Sequence, residues 1–408
     1  IRQMQGFTQK IKTLPTADQY LLVILILAFI VRLAFMWVYP DQNFPDAKAY
    51  NTIGNEIFAG KIITNNTYMP LYPIWVAMTG GGISHIFMDI IISVASVWLI
   101  YSIFLEIFSN TAGALLSAIV ASLYPHFLFY SVSGLTETFY TFLLLLSFLY
   151  FYRKKYILAI TILVLSLLVK PTLDILNPIL IVLFIGVVHK SGYKKIFKYL
   201  SVYSVIYIVL LLPWWVHQYE KYGEFVRFNL ADGIVLYSGN NPLNTSGGGV
   251  ARDNGSSDMN LEQFNYIKNP VRRNEVIKKS AIDYIMKNPY RFLELAGVKF
   301  TRFWRLWPHT EYYQQWYVIA TSLLSYGVIL FLAIGFLLRN VKIYFRKIIP
   351  IFALFGYLTL VHMVTIGSIR YRFPLEPFLI IFASYFFIDF VKKYSWFDLV
   401  KNKTLSNL

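Results

Sequence analysis

The chain has no cysteine and very little charge. Only 14% of its 408 residues are Asp, Glu, Lys or Arg, against roughly 25% in a soluble domain. The missing cysteines exclude a disulfide framework and any Cys-based metal site. The missing charge excludes a water-solvated globule, because too little polar surface remains to cover the apolar bulk. Acids are the scarcer sign, 21 against 37 Lys and Arg. Histidines number six; His85, His126 and His309 lack metal-ligand spacing, while His217 and His362 stand alone as boundary or packing residues.

What is present is apolar and aromatic. Hydrophobic residues make up 57% of the chain, and 31 Tyr and 34 Phe suit long membrane–water boundaries. The net charge of +16 would first suggest nucleic acid. The basic residues nevertheless sit in short clusters between apolar runs, where anionic headgroups and topogenic retention explain them. No nucleic-acid partner is expected.

About 20 mostly apolar residues are needed for a helix to cross the hydrocarbon core. Runs that reach or approach this length lie at 20–39, 84–107, 112–130, 134–152, 156–172, 174–189, 197–216, 316–338, 347–366 and 374–391. The sequence therefore predicts an all-α polytopic membrane protein with about ten transmembrane helices. Lys170-Pro171-Thr172 should part the fifth and sixth, since proline disfavours helix in the residue before it. Arg2, Lys10 and Lys12 precede the first run, and no small-residue cleavage pattern follows it, so that run is expected to be a retained span.

Charge gives the orientation. With the N-terminus inside, the cytoplasmic segments hold Arg2, Lys10 and Lys12, then Arg153-Lys154-Lys155, then Lys190, Lys194, Lys195 and Lys198. Arg339, Lys342, Arg346 and Lys347 follow, and finally Lys392, Lys393, Lys401 and Lys403. Only the loop near Ser109 is uncharged. The positive-inside rule thus predicts a multi-pass protein of the cell (inner or plasma) membrane with both termini cytoplasmic.

Residues 1–408 read as one transmembrane domain with two large external segments, 40–83 and 217–315. The first carries Asp41 and Asp46, then Ala47, Tyr50, Ile53 and Ile57 at helical spacing, an amphipathic helix suited to lie on the membrane. The second opens on Gly239-Asn240-Asn241-Pro242 and Gly247-Gly248-Gly249, a turn-rich stretch. It continues into a basic helix over 271–287 and another from Pro289 to Trp307. There Lys299, Arg302 and Arg305 are three apart, opposite Phe300, Phe303, Trp304 and Trp307, as in an interfacial helix touching headgroups. Asn65-Asn66-Thr67, Asn244-Thr245-Ser246 and Asn254-Gly255-Ser256 are external sequons.

Few residues stand where chemistry could occur. Asp46, just outside the first span, could take a proton from an acceptor hydroxyl as a general base, or simply cap the helix it begins; the two roles can coexist. Asp41 competes for the same role. Glu137, in Ser133-Gly134-Leu135-Thr136-Glu137, lies at the outer boundary of the fourth span, where an ionisable group either faces a cavity or snorkels. Arg32, inside the first span, is expected to be a structural partner of a carboxylate such as Glu137 or Asp46. Arg370 and Arg372, in a short external loop, run against the positive-inside trend. Two guanidinium groups there can grip a phosphate or anchor to headgroups, and Lys170 has the same choice. No metal spacing is present, although Asp41, Asp46 and Glu137 are the acids that a divalent cation would gather.

Several segments, taken in order, resemble a known family. They are Arg32-Leu33, Pro45-Asp46-Ala47-Lys48-Ala49-Tyr50, Gly60, Pro70-Leu71-Tyr72-Pro73, Tyr124-Pro125, Leu135-Thr136-Glu137-Thr138 and Val169-Lys170-Pro171-Thr172. Pro213-Trp214-Trp215 through Tyr219 and Gly223 to Gly239-Asn240-Asn241-Pro242 continues the series, and Arg370-Tyr371-Arg372-Phe373-Pro374 closes it. The chain is similar to bacterial GT-C fold glycosyltransferases, the multi-pass enzymes akin to protein O-mannosyltransferases and the aminoarabinose transferase of lipid A. It departs from them in Lys170, where Arg is usual, and in His217-Gln218 for Arg-Asn, and no sizeable soluble C-terminal domain is expected.

The resemblance implies transfer of a hexosyl or pentosyl group from a polyprenyl-phosphate donor to an acceptor lipid, glycan or protein. The active site would face outside. Asp46 matches the family's loop carboxylate, taken as the base. Arg370 and Arg372 match positions near the donor phosphate. Tyr72, Lys170, Lys299, Arg302 and Arg305 join them as expected substrate-binding residues. The rival expectation is a flippase or transporter of lipid-linked glycans, or a non-catalytic assembly subunit, but the charges gather at the outer boundary rather than on interrupted mid-membrane helices.

Overall fold

The computed structural model describes residues 16–39, 44–61, 63, 67–249, 260–310 and 313–405, with side chains to 393. Asp41 and the Asn65, Asn66 and Asn254 positions lie outside the described residues. No strand occurs among the described residues, and the architecture is all-α.

Among the described residues, six helices are long and apolar enough to cross a bilayer: Thr16–Val38, Gly82–Phe108, Tyr193–Tyr222, Trp316–Arg339, Val341–Val364 and Ile369–Lys393. Thr111–Leu123 and Pro125–Val132, bent by 53°, make a seventh if counted together. The expected fourth, fifth and sixth spans are shorter, with Thr136–Tyr152 at 17 residues, Tyr156–Leu167 at 12, and Leu176–Val188. A 12-residue helix extends about 18 Å, short of the roughly 30 Å hydrocarbon core. By length and composition alone, six or seven helices among the described residues qualify as spans, and the expected ten are not all matched by helices of spanning length.

Burial explains how the short helices persist. Thr136–Tyr152 packs between Gly82–Phe108 and Tyr156–Leu167. Its Leu144, Leu145, Phe148 and Leu149 are fully buried. It meets protein rather than lipid. The peripheral helices are the reverse: Val23, Ile26, Leu27 and Ile30 are exposed on one, and Val205, Ile208, Val209 and Leu212 on another. Such continuous apolar surface is rare in water and ordinary when lipid is the solvent.

Proline sets the breaks. Pro125 has no N–H to offer the carbonyl of Ala121. Arg32 fills the gap, donating from Nη1 to Ser122 O (3.2 Å), from Nη2 to Ala121 O (3.4 Å) and from Nε to Ser93 Oγ (2.8 Å). It is structural, as expected, but its partners are carbonyls and a hydroxyl rather than a carboxylate. Lys170, ahead of Pro171, is extended at φ −144° and ψ 119° and ends the preceding helix.

The two external segments fold onto this bundle. Pro45–Phe58 buries Ala47, Tyr50 and Ile53 against the Leu71–Met78 helix. Its apolar face is thus covered by protein instead of lying on lipid. The second segment contributes Asp232–Gly239, Pro270–Lys287 and Pro289–Trp304, with a small core of Tyr237, Phe264, Ile277 and Ala281.

Candidate active site

Four segments bring their charges to one place. Asp46 is the second residue of Pro45–Phe58, whose N-cap is Phe44 with no side-chain cap. Asp46 therefore does not cap the helix, and its carboxylate turns elsewhere. Its Oδ1 accepts from the Tyr68 hydroxyl (2.9 Å) and its Oδ2 from Arg370 Nη1 (2.6 Å). Glu137 holds the matching place in the first turn of Thr136–Tyr152. Its Oε1 accepts from Arg370 Nε (2.5 Å) and Lys170 Nζ (2.7 Å), while Oε2 lies 3.4 Å from Arg370 Nη2.

Arg370 thus bridges carboxylates 324 and 233 positions away in the chain. A planar fork suits that task, because its donors leave in fixed directions. Two acids and two bases make the cluster neutral, which offsets the desolvation of the Glu137 side chain at 1% exposure. The side chains of Asp46 and Arg370 remain 34% and 26% exposed, so the cluster opens on that side.

Tyr68 was not foreseen from the sequence. Burial, then the neighbouring Asp46 charge, pushes its phenol pKa upward, so it stays a donor. Its ring lies 4.6 Å from that of Tyr50, which meets Tyr72 at 5.0 Å. Tyr72 itself is fully buried. Its hydroxyl donates to Asp89 Oδ2 (2.9 Å) and lies 3.0 Å from His85 Nε2. Trp75 Nε1 donates to the other Asp89 oxygen (3.1 Å). Tyr72 is enclosed in this network instead of facing the ion cluster. Asp89 and its pairing with His85 were also missed, although two ionisable groups four apart in an apolar run are a readable signal.

The remaining predicted binders divide by position. Arg372 is fully buried: Nε donates to Glu376 Oε1 (3.0 Å), and Nη1 to the carbonyls of Phe303 (3.0 Å) and Arg305 (2.6 Å). Its guanidinium lies 3.6 Å from the Tyr326 ring centroid. His126 holds Glu376 from the far side at 3.0 Å. Arg372 therefore turns into the bundle, away from the Asp46 carboxylate.

Lys299 and Arg302 grip the backbone that leads into Arg370. Lys299 Nζ donates to Asn240 Oδ1 (2.9 Å) and Val364 O (3.2 Å), and Arg302 Nε donates to Gly367 O (3.0 Å). Burial lowers the Lys299 pKa to about 8. Arg305 reaches His309 (2.9 Å) and the Trp307 ring. These contacts are to protein. Gly239 makes the close fit possible, since an added Cβ would collide with the Thr365 carbonyl. Asn244 is also buried, donating to Ser238 O and Gly248 O, so this sequon is closed to modification in the folded chain.

No group of three or more His, Cys, Asp or Glu able to hold a metal occurs among the described residues. The two acids that do converge, Asp46 and Glu137, have the Arg370 guanidinium between them. A divalent cation at that point would have to displace it.

With the site described, comparison defines the fold class. No protein-family model matches the chain, and no curated protein matches it. Solved structures do, two of them from one archaeon. One is the Archaeoglobus fulgidus oligosaccharyltransferase in the apo form, with a TM-score of 0.57 at 12% identity. The other is the oligosaccharyltransferase AglB from the same organism in complex with an inhibitory peptide and a dolichol-phosphate, with a TM-score of 0.53 at 12% identity. Each match covers 95% of this chain and 52% of the other, so the chain spans about half the length of the structures it resembles. At 12% identity the likeness is one of fold, shared with these oligosaccharyltransferase structures over 95% of this chain.

Proposed function

We propose that this chain is a membrane glycosyltransferase. It moves a hexosyl or pentosyl group from a polyprenyl-phosphate donor to an acceptor hydroxyl on a lipid, glycan or protein. The observation that carries the proposal is Arg370, which ties Asp46 to Glu137 at a half-open edge of the bundle. The likeness to oligosaccharyltransferases, one of them holding a dolichol-phosphate, supports the donor class. The Lys and Arg clusters between spans support cytoplasmic termini and an extracytoplasmic site.

The chemistry is a single displacement with inversion. The acceptor oxygen attacks the anomeric carbon as the bond from that carbon to the phosphate oxygen breaks. The acceptor proton passes to Asp46, and the bonding electrons leave with the phosphate. Arg370 and Lys170 are the cations able to stabilise that charge. In the resting arrangement Arg370 occupies Asp46 Oδ2. A donor phosphate that draws Arg370 toward itself would free the base as the leaving group arrives. Glu137 is a positioning residue, holding Arg370 and Lys170 together. Arg372, which the resemblance sets near the phosphate, acts here through the fold of the turn.

Transfer of labelled sugar from a synthetic polyprenyl-phosphate donor, with purified protein in lipid nanodiscs, tests this. Wild type should turn over, and Asp46→Asn should lose most activity, on the order of 10²–10⁴-fold for a general base. Full activity in Asp46→Asn would remove it as base. Tight donor binding without turnover in wild type would favour a flippase or assembly subunit.

A further inference from the structure

A groove of about 370 Å³ opens between residues 225–232 and the Pro270–Lys287 helix. Pro171 forms part of its wall and follows Lys170, which holds Glu137. Asn229 also lines it and donates to Thr67 O (2.8 Å), next in the chain to Tyr68, which holds Asp46. The groove therefore abuts the ion cluster through two separate chain connections and shares no residue with it.

Its lining has a definite chemistry. The cation at one end, Arg227, is paired with Asp174 at 2.6 Å. The cation at the other, Lys278, is paired with Asp232 at 2.7 Å, and Asn274 Nδ2 donates to the same carboxylate (2.6 Å). The remaining ionisable lining group is an acid, Glu275. A phosphate or lipid headgroup would find no uncompensated cation here. A polyol would find carboxylate acceptors, amides and guanidinium donors together, since each hydroxyl both donates and accepts. Phe225, 63% exposed at the rim with Trp215 edge-on behind it (5.6 Å), adds an apolar face for the C–H side of a sugar ring. The volume falls within the range of small-ligand clefts, roughly 300–1,000 Å³.

On the basis of the sugar transfer proposed above, we infer that this groove binds an oligosaccharide, namely the sugar units beyond the one that carries the reacting anomeric carbon or the attacking hydroxyl. Those units belong either to the donor or to the acceptor, and the chemistry is the same for both.

Two substrate series separate the sources. In the first, a polyprenyl-phosphate donor carries one sugar or three with a fixed acceptor. In the second, the acceptor is a monosaccharide or a trisaccharide with a fixed donor. Wild type should prefer the trisaccharide member of one series in kcat/KM, and Phe225→Ala combined with Glu275→Ala should reduce that preference about tenfold. Loss in the donor series assigns the groove to the donor glycan, and loss in the acceptor series to the acceptor. No preference in either series, or one that the double variant leaves intact, overturns the inference.

A binding arm keeps this distinct from the transfer proposal. The free trisaccharide of the transferred sugar is titrated into the full-length Asp46→Asn protein in detergent and followed by saturation-transfer NMR. Contact that the double variant abolishes, together with wild-type protein that transfers nothing from any donor, would leave the groove standing and the transfer proposal refuted. Transfer without such contact or preference would refute the groove alone.

Discussion

Arg370 and Arg372 leave the same four-residue turn, two positions apart, and end in opposite surroundings. Arg370 reaches outward to carboxylates from two other elements and keeps about a quarter of its side chain exposed. Arg372 is fully buried, held by Glu376 one helical turn later, by two backbone carbonyls and by the Tyr326 face. The same side chain is thus a gate at one end of the turn and a rivet at the other. Surroundings decide the role. A half-open pair can exchange its partner for a substrate charge, whereas a buried pair can only be broken at the expense of the fold.

That contrast is most directly broken at Arg372. Arg372→Ala leaves Glu376 with His126 as its remaining partner and two carbonyls with a lost donor, and should destabilise by about 3–5 kcal/mol. Thermal unfolding in detergent should show a large fall in midpoint and in the yield of monodisperse protein. A normal midpoint combined with a raised donor KM would mean that Arg372 grips phosphate after all.

Arg370→Lys tests the other side. Lysine keeps the charge but not the fork, so it cannot hold Asp46 and Glu137 together. Transfer should fall by about 10²–10³-fold, while stability falls by about 1–3 kcal/mol as hydrogen bonds to the buried Glu137 are lost, less than in Arg372→Ala because Lys170 still holds Glu137. If the midpoint falls as far as in Arg372→Ala, the two arginines are both structural. A third arginine sharpens the comparison. Arg32→Met strips donors from Ala121 O and Ser122 O at the Pro125 break, and each orphaned carbonyl should cost about 1–3 kcal/mol. Its turnover per folded molecule should stay near wild type.

Part of this contrast was legible in the sequence. Asp46, Glu137, Lys170 and Arg370 stood out because charges at the edge of apolar runs need partners, and they do meet. The Lys170–Pro171 break followed from proline geometry. The divergence of Arg370 and Arg372 was readable too, had the turn been taken as helical. Residues two apart on a helix do not share a face, and Glu376 stands four after Arg372, the spacing of a helical pair. The hydrogen bond from Tyr68 to Asp46 was not readable, because it spans 22 positions with no local spacing to announce it. The short helices were also hidden. Hydropathy reports that a segment avoids water, and cannot tell burial in lipid from burial in protein, which is what Thr136–Tyr152 has.

Lys299 carries the smallest expected effect and tests whether a third kind of site exists, a buried cation with no acid paired to it among the described residues. Its Nζ is held by Asn240 Oδ1 and Val364 O, and burial lowers its pKa to about 8 from 10.5. Between those values the unfolded chain keeps a proton that the folded chain has released, so raising the pH favours the fold. Below about 8 both states are protonated and the contribution is flat. Stability should therefore rise by about 1 kcal/mol from pH 8 to pH 9 through this residue. The readout is the difference in unfolding midpoint between wild type and Lys299→Met across that range, which cancels titrations common to both. A difference that does not change with pH would mean that Lys299 holds its proton in the fold through an anion, and that the helix from Pro289 to Trp304 binds charge rather than only the backbone leading into Arg370.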